Sequence, residues 1–114
     1  QGSMEEIYAV AHKFTAFMCC SDYYAVTLMK YLRERDIRFP EDLSITGFDD
    51  NLYAQVVSPP LTTIHQNISQ RGTMAVEYLL RMIDGWVPKS TSITLPVKLV
   101  VRDSVKILNS DKQD

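Results

Sequence analysis

SITGFDDNLYAQVVSPPLTTIHQ, residues 44–66, is the stretch from which the fold of this chain is read. Ser44, Ile45, Thr46, Gly47 and Phe48 are partly β-branched and carry no charge, as a buried strand does. The strand runs into Asp49, Asp50 and Asn51, residues whose side chains bond nearby backbone groups and favour turns. In an open α/β sheet, ligands bind just outside the carboxyl ends of the strands. A carboxylate at that point accepts two hydrogen bonds, which suits neighbouring sugar hydroxyls or the ring N–H of a base. The stretch therefore reads as one wall of a small-molecule pocket.

Upstream of it, residues 15–20 (TAFMCC) form a short apolar run closed by Ser21 and Asp22, which predicts a buried strand and its exit. Asp22 is placed to N-cap a helix over residues 23–35, on which Ala25, Leu28, Met29 and Leu32 recur at helical spacing. Arg33 and Arg35 complement the dipole in its last turn. Phe39 and Pro40 return the chain to the strand before Phe48, so strand, helix and strand follow within the length of a βαβ unit. Residues 5–13 have helical character, with Ile7, Val10 and Ala11 on one side.

Downstream, Ser58-Pro59-Pro60 stops regular structure and residues 61–64 predict another strand. A second helix covers residues 68–84, with Gly72, Ala75, Val76, Leu79, Leu80 and Ile83 along one stripe and a Gly85-to-Pro88 stop. Residues 93–96 and 97–102 give one or two final strands, and the tail after Val105 turns polar, with residues 109–114 expected to fray. Residues 1–4 (QGSM) read as the remnant of an expression tag and are set aside.

The 114 residues, 46% hydrophobic and 23% charged, fit one small soluble domain or a piece of a larger one. With 12 basic and 14 acidic residues the net charge is −2, which makes this segment a poor grip on nucleic acid by itself. No apolar run has the length of a membrane span, and no charged-then-apolar leader opens the chain. Cys19 and Cys20 are adjacent, point to opposite faces of a strand and have no second ligand cluster, so they read as structural thiols in a reducing cytoplasm, with no metal and no cofactor.

Four segments in register, TAFMCCSDYYA (15–25), FPEDLSITGFDD (39–50), PPLTTIHQ (59–66) and LPVKLVVRDSV (95–105), carry a resemblance to the C-terminal part of the LacI/GalR family of bacterial transcriptional regulators. The resemblance implies an α/β fold: a parallel-sheet, three-layer αβα, periplasmic-binding-protein-like type I domain, here partial. It implies a small-molecule effector in a cleft between two subdomains, and operator DNA bound only through an N-terminal helix-turn-helix absent from this chain. On that layout, residues 5–64 and 96–108 belong to the C-terminal subdomain, and residues 65–95 form a crossover and helix of the N-terminal one. The stripe on residues 68–83 then lacks its partner surface and predicts self-association or exchange of elements between copies.

Asp49 is the leading ligand-binding residue; its rival role is to cap the turn, which is assigned instead to Asp50. By the family's layout Ser21 stands in the cleft where an Asn is frequent, and Asp22 is a helix cap before it is a ligand contact. Gln66 either bonds ligand or ties strands together, and Ile68 either faces a sugar ring or opens a helix core. His65 reads as a crossover-strand residue, and Tyr23 and Tyr24 as packing before stacking. Thr27 for a frequent Gly and Asn67 for a frequent Pro depart from the family's pattern. Val26, Tyr53, Val56, Val57 and Ser58 match the position where the family's C-terminal subdomains pair, so a homodimer contact is preferred there to inward packing.

The reading is an effector-binding fragment of a cytoplasmic repressor, with a periplasmic sugar-transport component as the alternative. An enzyme is rejected: the four glycines are scattered and the two histidines lack Cys or Asp partners at metal spacing. Short polar groups at Asp49, Ser21 and Gln66 favour a sugar effector over a purine.

Overall fold

The strand–helix–strand expected over residues 15–48 is present. In the computed structural model, which describes residues 3–108, β1 (Ala16–Met18) and β2 (Ser44–Thr46) run parallel. Ala16 lies opposite Ser44, Phe17 opposite Ile45 and Met18 opposite Thr46. Beyond β2, isolated parallel bridges join Thr46 to Thr62 and Asp49 to His65, which sets β3 (Thr63–Gln66) alongside. β3 and β4 (Val97–Val100) make a second two-stranded sheet.

The connection between β1 and β2 is α2 (Asp22–Arg33), whose Ala25, Leu28, Met29 and Leu32 are all buried. They meet Phe39, Leu43, Ile45, Ala54 and Leu61 in one core. Each large apolar side chain buried there contributes about 1.5–3 kcal/mol. The helix ends as Asp36 turns left-handed (φ 64°) and the Ile37 N–H reaches back to the Leu32 carbonyl, a Schellman-type closure without glycine.

Three local expectations need correction. The N-cap of α2 is Ser21, extended (φ −154°, ψ 159°) and accepting from the Tyr24 N–H, so Asp22 is the first helical residue. β1 is not a buried strand: Met18 is 90% exposed and Ala16 is exposed. Only Phe17 packs against the core, because side chains alternate across a strand and the helix covers one face. After Asn51, where the sequence reading gives no element before the stop at Ser58, Asn51 caps a short helix, α3 (Leu52–Val56), that buries Ala54.

Residues after β4 stitch this layer together. The buried Ser104 hydroxyl accepts from the Thr62 N–H at 2.8 Å and donates to the Ile45 carbonyl at 2.6 Å. The Ile45 N–H in turn donates to the Ser104 carbonyl, and the Lys106 N–H to Ser44 Oγ. Upstream, α1 (Met4–Ala11) starts at a capping box of Ser3 and Glu6, so two of the residues set aside as a tag open this helix. The other two, and the tail expected to fray, lie outside the described residues.

The described residues divide into two units, 3–65 with 99–108, and 66–98. The second consists chiefly of α4 (Ile68–Ile83), capped by Asn67 and closed at Gly85, whose φ of 90° suits glycine. Trp86 packs edge-on against Tyr78 with Arg81 over its ring. No residue of α4 is buried, and Val76, Leu79, Leu80 and Ile83 are each more than half exposed.

Candidate functional site

The carboxyl ends of the parallel strands converge on the turn after β2. The Asp22 N–H donates to the Phe48 carbonyl, and the Asp49 N–H to the Ile64 carbonyl, both at 2.9 Å. Ser21, Asp22 and Asp49, three of the expected ligand residues, are thereby gathered in the first unit. Asp49 (φ 118°) and Asp50 (φ 59°) are both at positive φ. Such conformations cost about 1–3 kcal/mol each away from glycine and persist where the surroundings fix them.

Asp22 is fully buried and accepts two internal bonds: from the Thr63 hydroxyl at 2.5 Å and from the Asn51 N–H at 2.8 Å. It is neither the cap nor an exposed contact but a brace between α2, β3 and the start of α3. Gly47 is what lets it sit there. A Cβ at residue 47 would lie 2.4 Å from Asp22 Oδ1 and 2.8 Å from Leu61 Cδ2.

Asp50 does more than shape the turn. Its Oδ1 accepts from Arg102 Nη2 at 2.6 Å, and its Oδ2 meets His65 Nδ1 at 2.9 Å. Arg102 is itself fixed, donating through Nη1 to the Leu61 carbonyl and through its N–H to Thr62 Oγ1. Burial works to raise the Asp50 carboxyl, but the bonds and charges of Arg102 and His65 outweigh it and hold it below the ordinary carboxylate range.

Beside the turn lies an apolar hollow of about 530 Å³, lined in part by Met18, Cys19, Phe48, Ile64 and Leu99. Burial, with Cys20 next to it, pushes the Cys19 thiol up to about 11. Tyr23 stands edge-on to both Tyr24 and Tyr53, all three exposed. Of the expected pairing residues, Tyr53, Val56 and Ser58 are exposed, while Val26 and Val57 pack partly against the core.

Gln66 and Ile68 fall in the second unit. Gln66 Oε1 accepts from Arg71 Nη1 at 2.9 Å, and Ile68 opens α4 half-exposed. A groove of about 420 Å³ runs there between Gln66, Arg71 and Met74 on one side and Ile93 and Leu95 on the other.

Another hollow, of about 1120 Å³, lies at the far end of α2 among Arg33, Arg38, Phe39 and Asp103. Its Arg38–Asp42 pair is bidentate and closed on itself, the guanidinium holding the exposed Asp42 carboxyl at about 2. That hollow lies at the opposite end of α2 from Ser21 and the turn at Asp49. Among the described residues no group of three or more His, Cys, Asp and Glu is arranged to hold a metal ion. Sequence reasoning missed the Asp50–Arg102–His65 cluster, since 52 and 15 residues separate Asp50 from its partners.

Residues 2–105 match the periplasmic binding protein-like domain family. Over 95 residues the chain is 41% identical to the HTH-type transcriptional repressor PurR of Haemophilus influenzae, covering 81% of this chain and 28% of that protein. The solved transcriptional regulator CelR–cellobiose complex superposes with a TM-score of 0.82 at 29% identity, over 89% of this chain and 31% of that one. The lac repressor dimer bound to operator and the anti-inducer ONPF gives 0.75 at 28% identity, over 90% and 36%. The chain thus spans under a third of the length of the curated repressor it matches.

Proposed function

Since this chain belongs to the periplasmic binding protein-like domain family, within its LacI/GalR branch of regulators, we propose that it is the effector-binding and dimerising segment of a cytoplasmic transcriptional repressor. The effector is a sugar. Operator DNA is bound through a separate helix-turn-helix, and effector binding changes operator affinity by favouring one arrangement of the domain over another.

The observation that carries the reading is Asp49 at the convergence of three strand ends, on a turn held in a costly conformation. Ser21 is its neighbour at the exit of β1, with Asp22 as the internal brace. Gln66 and Ile68 are kept as ligand residues in this reading on the family resemblance alone. A cellobiose-bound regulator among the structural relatives supports the choice of a sugar, and the repressor relatives favour regulation over transport. No catalytic step is assigned to the chain.

Tyr53, Val56 and Ser58, flanked by Val26 and Val57, form the dimer contact in this proposal. The exposed apolar stripe of α4 adds a second route to self-association or exchange of elements.

A thermal-shift screen of mono- and disaccharides and nucleobases tests the effector assignment. A compound at a hundred times its Kd stabilises the native state by about 2.7 kcal/mol. A sugar-specific shift that Asp49→Ala removes supports the proposal. A shift with nucleobases alone, or one that Asp49→Ala leaves intact, rejects the sugar or the site.

A further inference from the structure

Two consecutive non-glycine residues at positive φ form the turn that carries Asp49, and something must hold them there. Asp49 is anchored through its own N–H to Ile64 and by its bridge to His65. Asp50 is anchored from two distant parts of the chain at once: Arg102 takes one carboxylate oxygen and His65 the other. The Asp50 and Arg102 side chains are largely shielded, at 11% and 19% exposure, whereas that of His65 is 47% exposed. His65 therefore lies beside both halves of the turn: it stands opposite Asp49 as its bridge partner, the hydrogen bond itself running to Ile64, and it meets Asp50 through its ring.

We propose that Asp50, Arg102 and His65 are positioning residues for Asp49, forming a clamp that fixes the turn from which Asp49 meets effector and that tightens when His65 is protonated. The inference rests on the effector site proposed above. Among the described residues, the Asp50 carboxylate meets the His65 ring, Arg102 from the segment after β4 holds the other Asp50 oxygen, and Asp49 stands opposite His65 as its bridge partner. A neutral ring with its proton on Nδ1 gives the Asp50 carboxylate a hydrogen bond assisted by one charge; a protonated ring adds the attraction of a second, opposite charge. Arg102 holds the other oxygen at either charge state, so the turn persists when the ring is neutral.

The test is ¹⁵N NMR of the intact chain from pH 5.5 to 8, following the His65 ring and the Asp49 and Asp50 amides, without any added compound. The expected result is that both amides move with the midpoint of the ring, and that His65→Gln abolishes this transition while the fold is retained. Amides that stay flat while the ring titrates overturn the clamp, as does a transition that survives His65→Gln. Calorimetry with cellobiose at pH 5.5 and 8 separates this idea from the effector assignment. If Asp49→Ala abolishes cellobiose binding, His65→Gln should weaken it several-fold at pH 5.5 and erase its pH dependence. Loss with Asp49→Ala but unchanged affinity and pH profile in His65→Gln rejects the clamp's role. Failure of cellobiose to bind the wild type, or binding indifferent to Asp49→Ala, counts against the effector assignment for that sugar, and the NMR arm still decides the clamp.

Discussion

Replacing Asp22 by Ala removes the acceptor of two donors, one of them the hydroxyl of a fully buried threonine. Thr63 is fully buried, and the Asn51 N–H points at the same carboxylate. Leaving a buried donor unsatisfied costs about 1–3 kcal/mol. The Thr63 hydroxyl is such a donor and the part-buried Asn51 N–H loses less, so with the lost packing the expected destabilisation is roughly 2–4 kcal/mol, a large share of the ~5–15 kcal/mol that holds a small domain together. Urea unfolding followed by circular dichroism measures it directly, and Thr63→Val with the double variant supplies the cycle. The coupling between the two positions should be about 1–3 kcal/mol, because they share one hydrogen bond. Gly47 gives an internal check: Gly47→Ala should be less damaging in the Asp22→Ala background, where the oxygen 2.4 Å from the new Cβ is gone. A variant within ~0.5 kcal/mol of wild type, or strict additivity with Thr63→Val, refutes the brace. If stability holds while sugar binding disappears, Asp22 is a ligand contact instead.

Gly47→Ala alone should destabilise by about 1–3 kcal/mol through overpacking, read from the same urea curves. The Asp50 carboxyl is lower in the folded than in the unfolded chain, so its contribution is complete above the ordinary carboxyl pKa and is lost as pH falls through the depressed folded value. Asp50→Asn should therefore be less stable than wild type at pH 7, and the gap should narrow on titration toward pH 2. With its thiol at about 11, Cys19 is about one part in a thousand thiolate at pH 8. Limited alkylation followed by mass spectrometry should thus find the first adduct on the exposed Cys20. Leu79→Glu with Leu80→Glu should shift sedimentation toward smaller species, and an unchanged profile removes α4 from any self-association.

Local pattern was enough to place α2, β2 and α4, because the spacing of Ala25, Leu28, Met29 and Leu32 and the β-branched run at Ile45 write their periods into neighbouring residues. The cap of α2 was misassigned by one position. Ser21 and Asp22 both carry the needed oxygen, and what decides between them is that Thr63, 41 residues away, claims the carboxylate. The short α3 was hidden because five residues show too little periodicity. The site divided the same way: the turn at Asp49 was legible from Asp-Asp-Asn after a strand, but the identity of the residues that hold it was not. Arg102 and His65 become its partners only once β3 and the segment after β4 are laid beside β2.

The seam made by Ser104 has a kinetic corollary. It ties Ile45 and Thr62 to a residue 59 and 42 positions further along, and Lys106 returns to Ser44 across 62. Contacts of such sequence separation slow folding, since loop entropy is lost before they form. On the ribosome, α2 and the first strand pair can assemble as soon as they emerge, but the carbonyl of Ile45 and the N–H of Thr62 wait for Ser104. Until synthesis passes that serine, the nascent chain carries a half-built sheet whose free edge is open to chaperones and to other nascent chains.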